Sequence, residues 1–287
     1  MEWIHSLQRA IDFIEENLTE NITTADIAKR ANVSMYHFQR IFTVLTDITV
    51  GEYIRRRRLT LAAQELSRGS CKVIDLAYKY GYETPEAFTK AFRKQHGVTP
   101  SEARRYSETL TSYNRLIIQV SLKGAEPMKY RVVERDSFQV IGVKREFTSI
   151  NEENLIGIPK LWNEVNSNGT TETLAKLANG QISGILGVCV SHEDIQSTGL
   201  MDYWVAAEHV GETPGEYSAL QIPASKWVVF EVHGAMPDAM QKAWKQIFSE
   251  WFPTSGYEPV HLPELEVYTD NDPTSPNCYS EIWIPVR

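Results

Sequence analysis

One motif restricts the fold of this 287-residue chain more than any other feature, because it occurs twice. Asp26-Ile27-Ala28-Lys29-Arg30-Ala31-Asn32-Val33-Ser34 leads into Met35-Tyr36-His37-Phe38-Gln39-Arg40-Ile41-Phe42. Asp75-Leu76-Ala77-Tyr78-Lys79-Tyr80-Gly81-Tyr82-Glu83-Thr84 leads into Pro85-Glu86-Ala87-Phe88-Thr89-Lys90-Ala91-Phe92. From Asp to the last Phe the copies span 16 and 17 steps, so the second has one extra residue in its turn. Each copy predicts a short helix, a tight turn and a second helix. Asn32 and Gly81 are residue types that accept a left-handed backbone after a helix end. Ser34 and Thr84 suit the N-cap of the second helix, Pro85 its first position, and Thr23 with Asp26 a capping box. Phe38, Ile41, Phe42 and Leu45 share one helix face and Phe88, Ala91 and Phe92 another, which makes both sets core.

The remaining side chains of each second helix are polar and basic, and they are expected to point outward. In the first copy these are Tyr36, His37, Gln39, Arg40 and Thr43, and in the second Glu86, Thr89, Lys90, Arg93 and Lys94. Such a face fits the DNA major groove, where Arg and Gln pair with base edges and Lys with phosphates. Residues 50–66 read as one helix, about 25 Å long at 1.5 Å per residue. A rod of that length could hold the two devices about one DNA turn, roughly 34 Å, apart. On a helix the Arg55–Arg58 run points several ways, so part of it is expected on neighbouring helix ends or acids. An ordinary helical bundle with a solvated face is the plainer reading of either copy alone; two matching copies speak against it.

Charge divides the chain. Residues 1–106 hold 16 Lys+Arg against 13 Asp+Glu, a net of +3, and residues 107–287 hold the remaining 13 against 24, a net of −11. That contrast, hidden inside a total of −8, suggests a polyanion-binding module joined to an acidic one. We expect an all-α DNA-binding domain over 1–108, a linker over 109–127 and a second domain over 128–287. No run approaches the roughly 20 apolar residues of a membrane span, and the first residues lack a basic leader. Cys71, Cys189 and Cys278 are too few and too scattered for a disulfide framework, and are read as buried thiols of a cytoplasmic protein.

The second domain alternates. Strand patterns at 138–147, 182–190, 202–209, 226–233, 264–269 and 279–286 flank helical patterns at 154–166 and 237–251, so strand, helix, strand, strand occurs twice. This predicts an α+β domain with an antiparallel sheet, pseudo-twofold symmetry and a central cleft. In the last strand Tyr279, Glu281 and Trp283 share a face, and in 264–269 Glu266 lies beside Tyr268. An acid among aromatic rings suits a bulky organic cation. A solvent-facing sheet with half-buried aromatics is the alternative these strands leave open. No catalytic or metal-ligating set is expected, and no cofactor: His192-Glu193-Asp194 reads as a solvated turn, and His37 and His96 as lying at the DNA surface or a helix end.

Residues 21–105 resemble the DNA-binding domain of the AraC/XylS regulators. The match is strongest at Ile74-Asp75-Leu76-Ala77, Gly81-Tyr82, Phe88, Phe92-Arg93 and Gly97-Val98-Thr99-Pro100-Ser101. The resemblance implies that Tyr36, Gln39 and Arg40, and likewise Glu86, Thr89, Lys90 and Arg93, face DNA. Thr43 is placed with them. Residues 129–287 resemble the GyrI-like effector-binding domains, at Phe138-Gln139-Val140-Ile141-Gly142, Trp227-Val228-Val229-Phe230, Trp251-Phe252-Pro253, Glu264-Leu265-Glu266-Val267-Tyr268 and Glu281-Ile282-Trp283-Ile284-Pro285-Val286. That family implies a cleft for hydrophobic, often cationic molecules with an acid at its base, here Glu266 or Glu281. Tyr268, Tyr279, Trp283 and Trp204 are the expected aromatic neighbours. The whole reads as a non-enzymatic transcription regulator with a lipophilic-cation effector. Double-stranded promoter DNA and RNA polymerase are its expected partners, and it is expected to act as a monomer on DNA. The alternative is a GyrI-like hydrolase fused to a DNA-binding domain, with Glu266 or Glu281 as base and Tyr268 as donor.

Overall fold

The computed structural model describes residues 2–69, 71–105, 109–118, 127–148, 153–191, 200–269 and 272–287. Among the described residues seven helices come first: α1 Glu2–Glu16, α2 Thr24–Ala31, α3 Met35–Thr46, α4 Val50–Ser67, α5 Val73–Lys79, α6 Pro85–His96 and α7 Pro100–Arg105. Their ends follow the chemistry of the sequence. Thr23 and Asp26 form a reciprocal capping box on α2, and Asn32 closes that helix at φ 57°. The Ser34 hydroxyl accepts from the His37 amide at 3.2 Å and the Thr84 hydroxyl from the Ala87 amide at 3.1 Å, starting α3 and α6. Gly81 takes φ 77° in the second turn.

The arginine run on α4 binds protein. Arg55 and Arg56 pair with Glu52. Arg57 clasps Glu15 of α1 at 2.7 and 2.8 Å. Arg58 donates to the carbonyls of Leu18 and Glu20 at the end of α1. The two helix pairs pack differently. Phe88, Phe92, Leu76 and Leu59 pack the second unit by itself, whereas Phe38, Phe42 and Ile27 belong to a cluster that continues into the second domain.

That domain contains β1 Tyr130–Arg135, β2 Phe138–Thr148, α8 Glu153–Ser167, α9 Thr170–Leu177, β3 Ile185–Ser191, β4 Leu200–Glu208, β5 Ser218–Ile222 and β6 Ser225–His233. Then come α10 Asp238–Gln246, which runs through a π turn at Ile247–Trp251 into Phe252–Ser255, and the strands β7 Glu264–Tyr268 and β8 Tyr279–Val286. All strand pairs are antiparallel, in the order β1-β6-β8-β7-β3-β4-β2-β5. The order is a palindrome about the β7–β3 seam. Each expected strand–helix–strand–strand unit gains a leading strand, β1 or β5, which pairs with the other unit's edge. These two leaders and α9 were not anticipated: β1 is mostly exposed and β5 has five residues, so neither shows strict alternation.

Helices cover one sheet face. The other face curls until its ends meet, with the Phe138 ring of β2 centred 6.5 Å from Trp227 of β6, and Arg135 of β1 held on Glu208 at 2.8 and 3.1 Å. Trp204, Trp227, Trp283 and Leu265 fill the interior of the curl.

Candidate functional site

The helix-bearing face has a groove at the β7–β3 seam, between α8 and α10. Strand pairing determines what points into it. Gly187 of β3 lies opposite Glu266 and Cys189 opposite Glu264, while Tyr203 of β4 lies opposite Cys189. Glu264, Glu266, Tyr268, Cys189 and Tyr203 therefore share this face. A Cβ on Gly187 would lie 2.4 Å from the Tyr203 hydroxyl, so the absence of a side chain leaves that ring its place. Trp162 of α8 donates to the Tyr203 hydroxyl at 2.9 Å and meets the Tyr268 ring edge-on at 5.1 Å. Trp244 of α10 closes the opposite wall and donates to Glu266 Oε1 at 2.8 Å, and Tyr268 donates to Oε2 at 2.9 Å.

The groove is occupied by the chain itself. Arg40 of α3 donates to Glu266 Oε1, lies 3.6 Å from Glu264 Oε2, and stacks with its guanidinium carbon 3.9 Å from the centre of the Trp244 ring. Tyr36 enters beside it, packed with Leu161, Val165, Cys189, Met201 and Tyr203. His37 Nδ1 sits 3.4 Å from Glu264 Oε1, and its ring meets the edge of Phe248. At the rim Lys245 pairs with Asp47 at 2.5 Å, and His261 meets the Asn32 carbonyl at 3.1 Å.

Electrostatics follow from burial. Desolvation works against charge on Arg40, but Tyr36, Glu266 and Glu264 outweigh it and hold its pKa above the ordinary arginine value. Burial raises Glu264 from 4.5 to about 7, with Arg40 opposing. Burial, aided by His261 and Arg40, lowers His37 from 6.5 to about 3. One carboxylate thus balances Arg40 while the second holds a proton with ease.

This geometry corrects the expected outward face of α3. Tyr36 and Gln39 are only 9% and 7% exposed, His37 and Arg40 are half-buried with Thr43, and the second domain covers Tyr36, His37 and Arg40. His37 accordingly lies at a domain interface rather than at an open surface. On α6 the expected face is open: Glu86, Lys90, Arg93 and Lys94 are exposed, and the half-buried Thr89 hydroxyl donates to the Pro85 carbonyl. The two recognition helices are therefore not presented together on one free surface. His96 is buried at the end of α6, with a ring nitrogen 3.2 Å from the Leu59 carbonyl. His192-Glu193-Asp194 lies outside the described residues.

The structure also separates the two acids. Leu265 lies opposite Trp283 and Val267 opposite Glu281, which puts Glu281 on the curled face, away from Glu266. There Arg131 of β1 meets Glu281 at 2.9 and 3.0 Å, Tyr279 donates at 2.6 Å and Trp283 at 2.8 Å. Burial opposes that charge, but these donors hold the Glu281 pKa below the ordinary range. Glu281, Trp283, Tyr279 and Trp204 are thus not parts of the groove that Glu266 and Tyr268 line. Alternation within one strand assigns two faces but cannot match them to a neighbour's faces; register does. Glu264, Trp162, Trp244 and Tyr203 were missed. Glu264 stands two residues from Glu266, so strand period alone could have found it.

Comparison with known proteins agrees with both halves. Residues 27–106 match the family described as "Helix-turn-helix domain", and residues 131–286 match "Integron-associated effector binding protein". The HTH-type transcriptional activator AarP of Providencia stuartii is 39% identical over 106 residues, covering 37% of this chain and 76% of AarP. Regulatory protein SoxS of Escherichia coli (strain K12) is 37% identical over 98 residues, covering 34% of this chain and 92% of SoxS. The solved structure of SAV2435 bound to tetraphenylphosphonium superposes with a TM-score of 0.50 at 27% identity, covering 56% of this chain and 94% of that one. The chain belongs to the AraC family of transcription regulators, and its second half to the GyrI-like, integron-associated effector-binding family.

Proposed function

We propose that this regulator binds a lipophilic organic cation in the Glu266 groove and couples that binding to promoter recognition. One observation carries the reading: a delocalised cation, the Arg40 guanidinium, already rests there against the Trp244 ring and the Glu266 carboxylate. Aromatic walls with buried carboxylates recognise such charge through cation–π attraction and ion pairing. Glu266 is the acid at the groove's base, and Tyr268, Trp244 and Trp162 are its walls. SAV2435, whose structure resembles this domain, binds tetraphenylphosphonium.

DNA contact is assigned to Glu86, Thr89, Lys90 and Arg93 of α6, and to Tyr36, Gln39, Arg40 and Thr43 of α3 once that face is free. Two reading helices in one chain support a monomer on an asymmetric duplex site. AarP is a transcriptional activator, which supports productive contact with RNA polymerase in the cytoplasm. No described helix is long and apolar enough to cross a membrane. Both oxygens of Glu266 already accept hydrogen bonds, which favours a binding role over that of a general base. Calorimetric titration with tetraphenylphosphonium in an Arg40→Ala background, where no internal cation competes for the seat, tests the cation site: we expect binding that adding Glu266→Gln weakens at least tenfold and adding Glu281→Gln leaves unchanged. Equal affinity with and without Glu266→Gln in that background would refute the assignment.

A further inference from the structure

We propose that the closed groove is an autoinhibitory lock in which Arg40 is an internal ligand: α3 cannot read DNA until a lipophilic cation takes Arg40's place. The inference rests on the reading above, that the groove takes cations and that α3 faces DNA.

Three observations carry it. First, Tyr36 and Arg40 are both assigned to base reading and seated in the groove. Tyr36, His37 and Arg40 cannot lie under the second domain and in a major groove at once, so closure and DNA contact by this face of α3 are mutually exclusive. Second, Arg40 satisfies the groove as an effector would, with charge on Glu266, stacking on Trp244 and Tyr36 filling the apolar side. An incoming cation must therefore compete for the same atoms. Third, the polar part of the contact is weak at its edge: beside the apolar packing that joins the two domains, the rim is an exposed ion pair, Lys245–Asp47, of a kind worth about 0–1 kcal/mol. The other acid–arginine pair makes the contrast. Arg131, which neutralises Glu281, belongs to a strand paired along its length with β6 and cannot leave without unzipping the sheet. Arg40 comes from a different domain.

The second reading helix stands outside the lock, since α6 packs on its own core and keeps its basic face exposed. The closed chain can therefore touch DNA through α6 alone, and effector binding adds α3. By linkage, DNA that requires the open form must raise effector affinity by the factor by which effector raises DNA affinity. A lock closed about 99% of the time would weaken apparent cation affinity about 100-fold relative to the open groove.

Hydroxyl-radical footprinting of Tyr36, read by mass spectrometry on the full chain, reports the lock directly. Affinity for a duplex selected from a randomised pool reports its consequence. In wild type, saturating tetraphenylphosphonium should raise Tyr36 labelling at least fivefold and DNA affinity at least tenfold. Without any cation, Glu266→Gln should do both, because it weakens the seat of Arg40 and leaves the DNA-binding domain untouched. Should Glu266→Gln melt well below wild type, Lys245→Glu, which turns the rim pair into a repulsion, should give a smaller rise in the same direction. Wild-type labelling and DNA affinity in both variants would overturn the lock. So would calorimetrically proven cation binding that moves neither readout. If the variants open but wild type binds no tetraphenylphosphonium, the lock stands and the cation reading falls.

Discussion

Glu264 and His37 face each other across the domain interface with their usual proton affinities reversed, the acid near 7 and the imidazole near 3. Arg40, Glu266, His261, Cys189 and Tyr36 are charged or titratable groups around them. Glu264 is raised in the closed form, so its support for closure is complete below its ordinary 4.5 and is lost as pH rises through about 7. His37 is lowered, so its support is complete above 6.5 and is lost as pH falls toward about 3. Between 4.5 and 6.5 the two slopes cancel. Tyr36 footprinting against pH should show a flat minimum in that window and rise on both sides, and Glu264→Gln should abolish the alkaline rise. A different residue limits the sheet. A Cβ on Gly142 would sit 2.2 Å from the Val205 carbonyl oxygen, so Gly142→Ala should cost about 3 kcal/mol, read as a lowered Tm. The sequence marks this glycine as a landmark; only the β2–β4 pairing explains it.

Among the elements, the helices of the first domain are the most legible, because their signals are local. Caps, left-handed closers and spaced phenylalanines act within a few residues, and Thr23, Ser34, Asn32, Gly81 and Thr84 take the expected roles. Thr84→Ala should destabilise the second unit by about 1 kcal/mol, measurable as faster amide exchange in α6. The arginine run was legible only in part. That some of its members would serve neighbouring helices followed from their directions, but that Arg57 would clamp Glu15 needed the packing of α1 on α4. Both partners are largely buried, so Arg57→Met should cost about 3 kcal/mol in chemical denaturation by stranding Glu15. The leading strands β1 and β5 escaped detection because one is mostly exposed and the other only five residues long, so neither carries a strict alternation.

For the whole molecule, the charge contrast acquires a geometric meaning. The acidic domain covers the polar face of α3 and leaves the basic face of α6 exposed. DNA binding without effector should therefore show a shallow salt dependence, set by α6. With tetraphenylphosphonium the slope of log K against log salt should steepen by at least one unit, because further phosphate contacts release more counterions. An unchanged slope at saturating cation would mean that α3 adds no ionic contact.

The sequence by itself determined the helical helix-turn-helix half, the α+β half with its duplicated strand–helix unit and the pairing of an acid with aromatics, because each is written in residues a few positions apart. Tertiary structure alone decided which acid lines the groove, since faces of neighbouring strands are matched by register, and which reading helix is exposed. Arg40 has the same outward address on its helix whether it meets a base or Glu266. What it meets depends on two surfaces more than two hundred residues apart in sequence, brought together by folding.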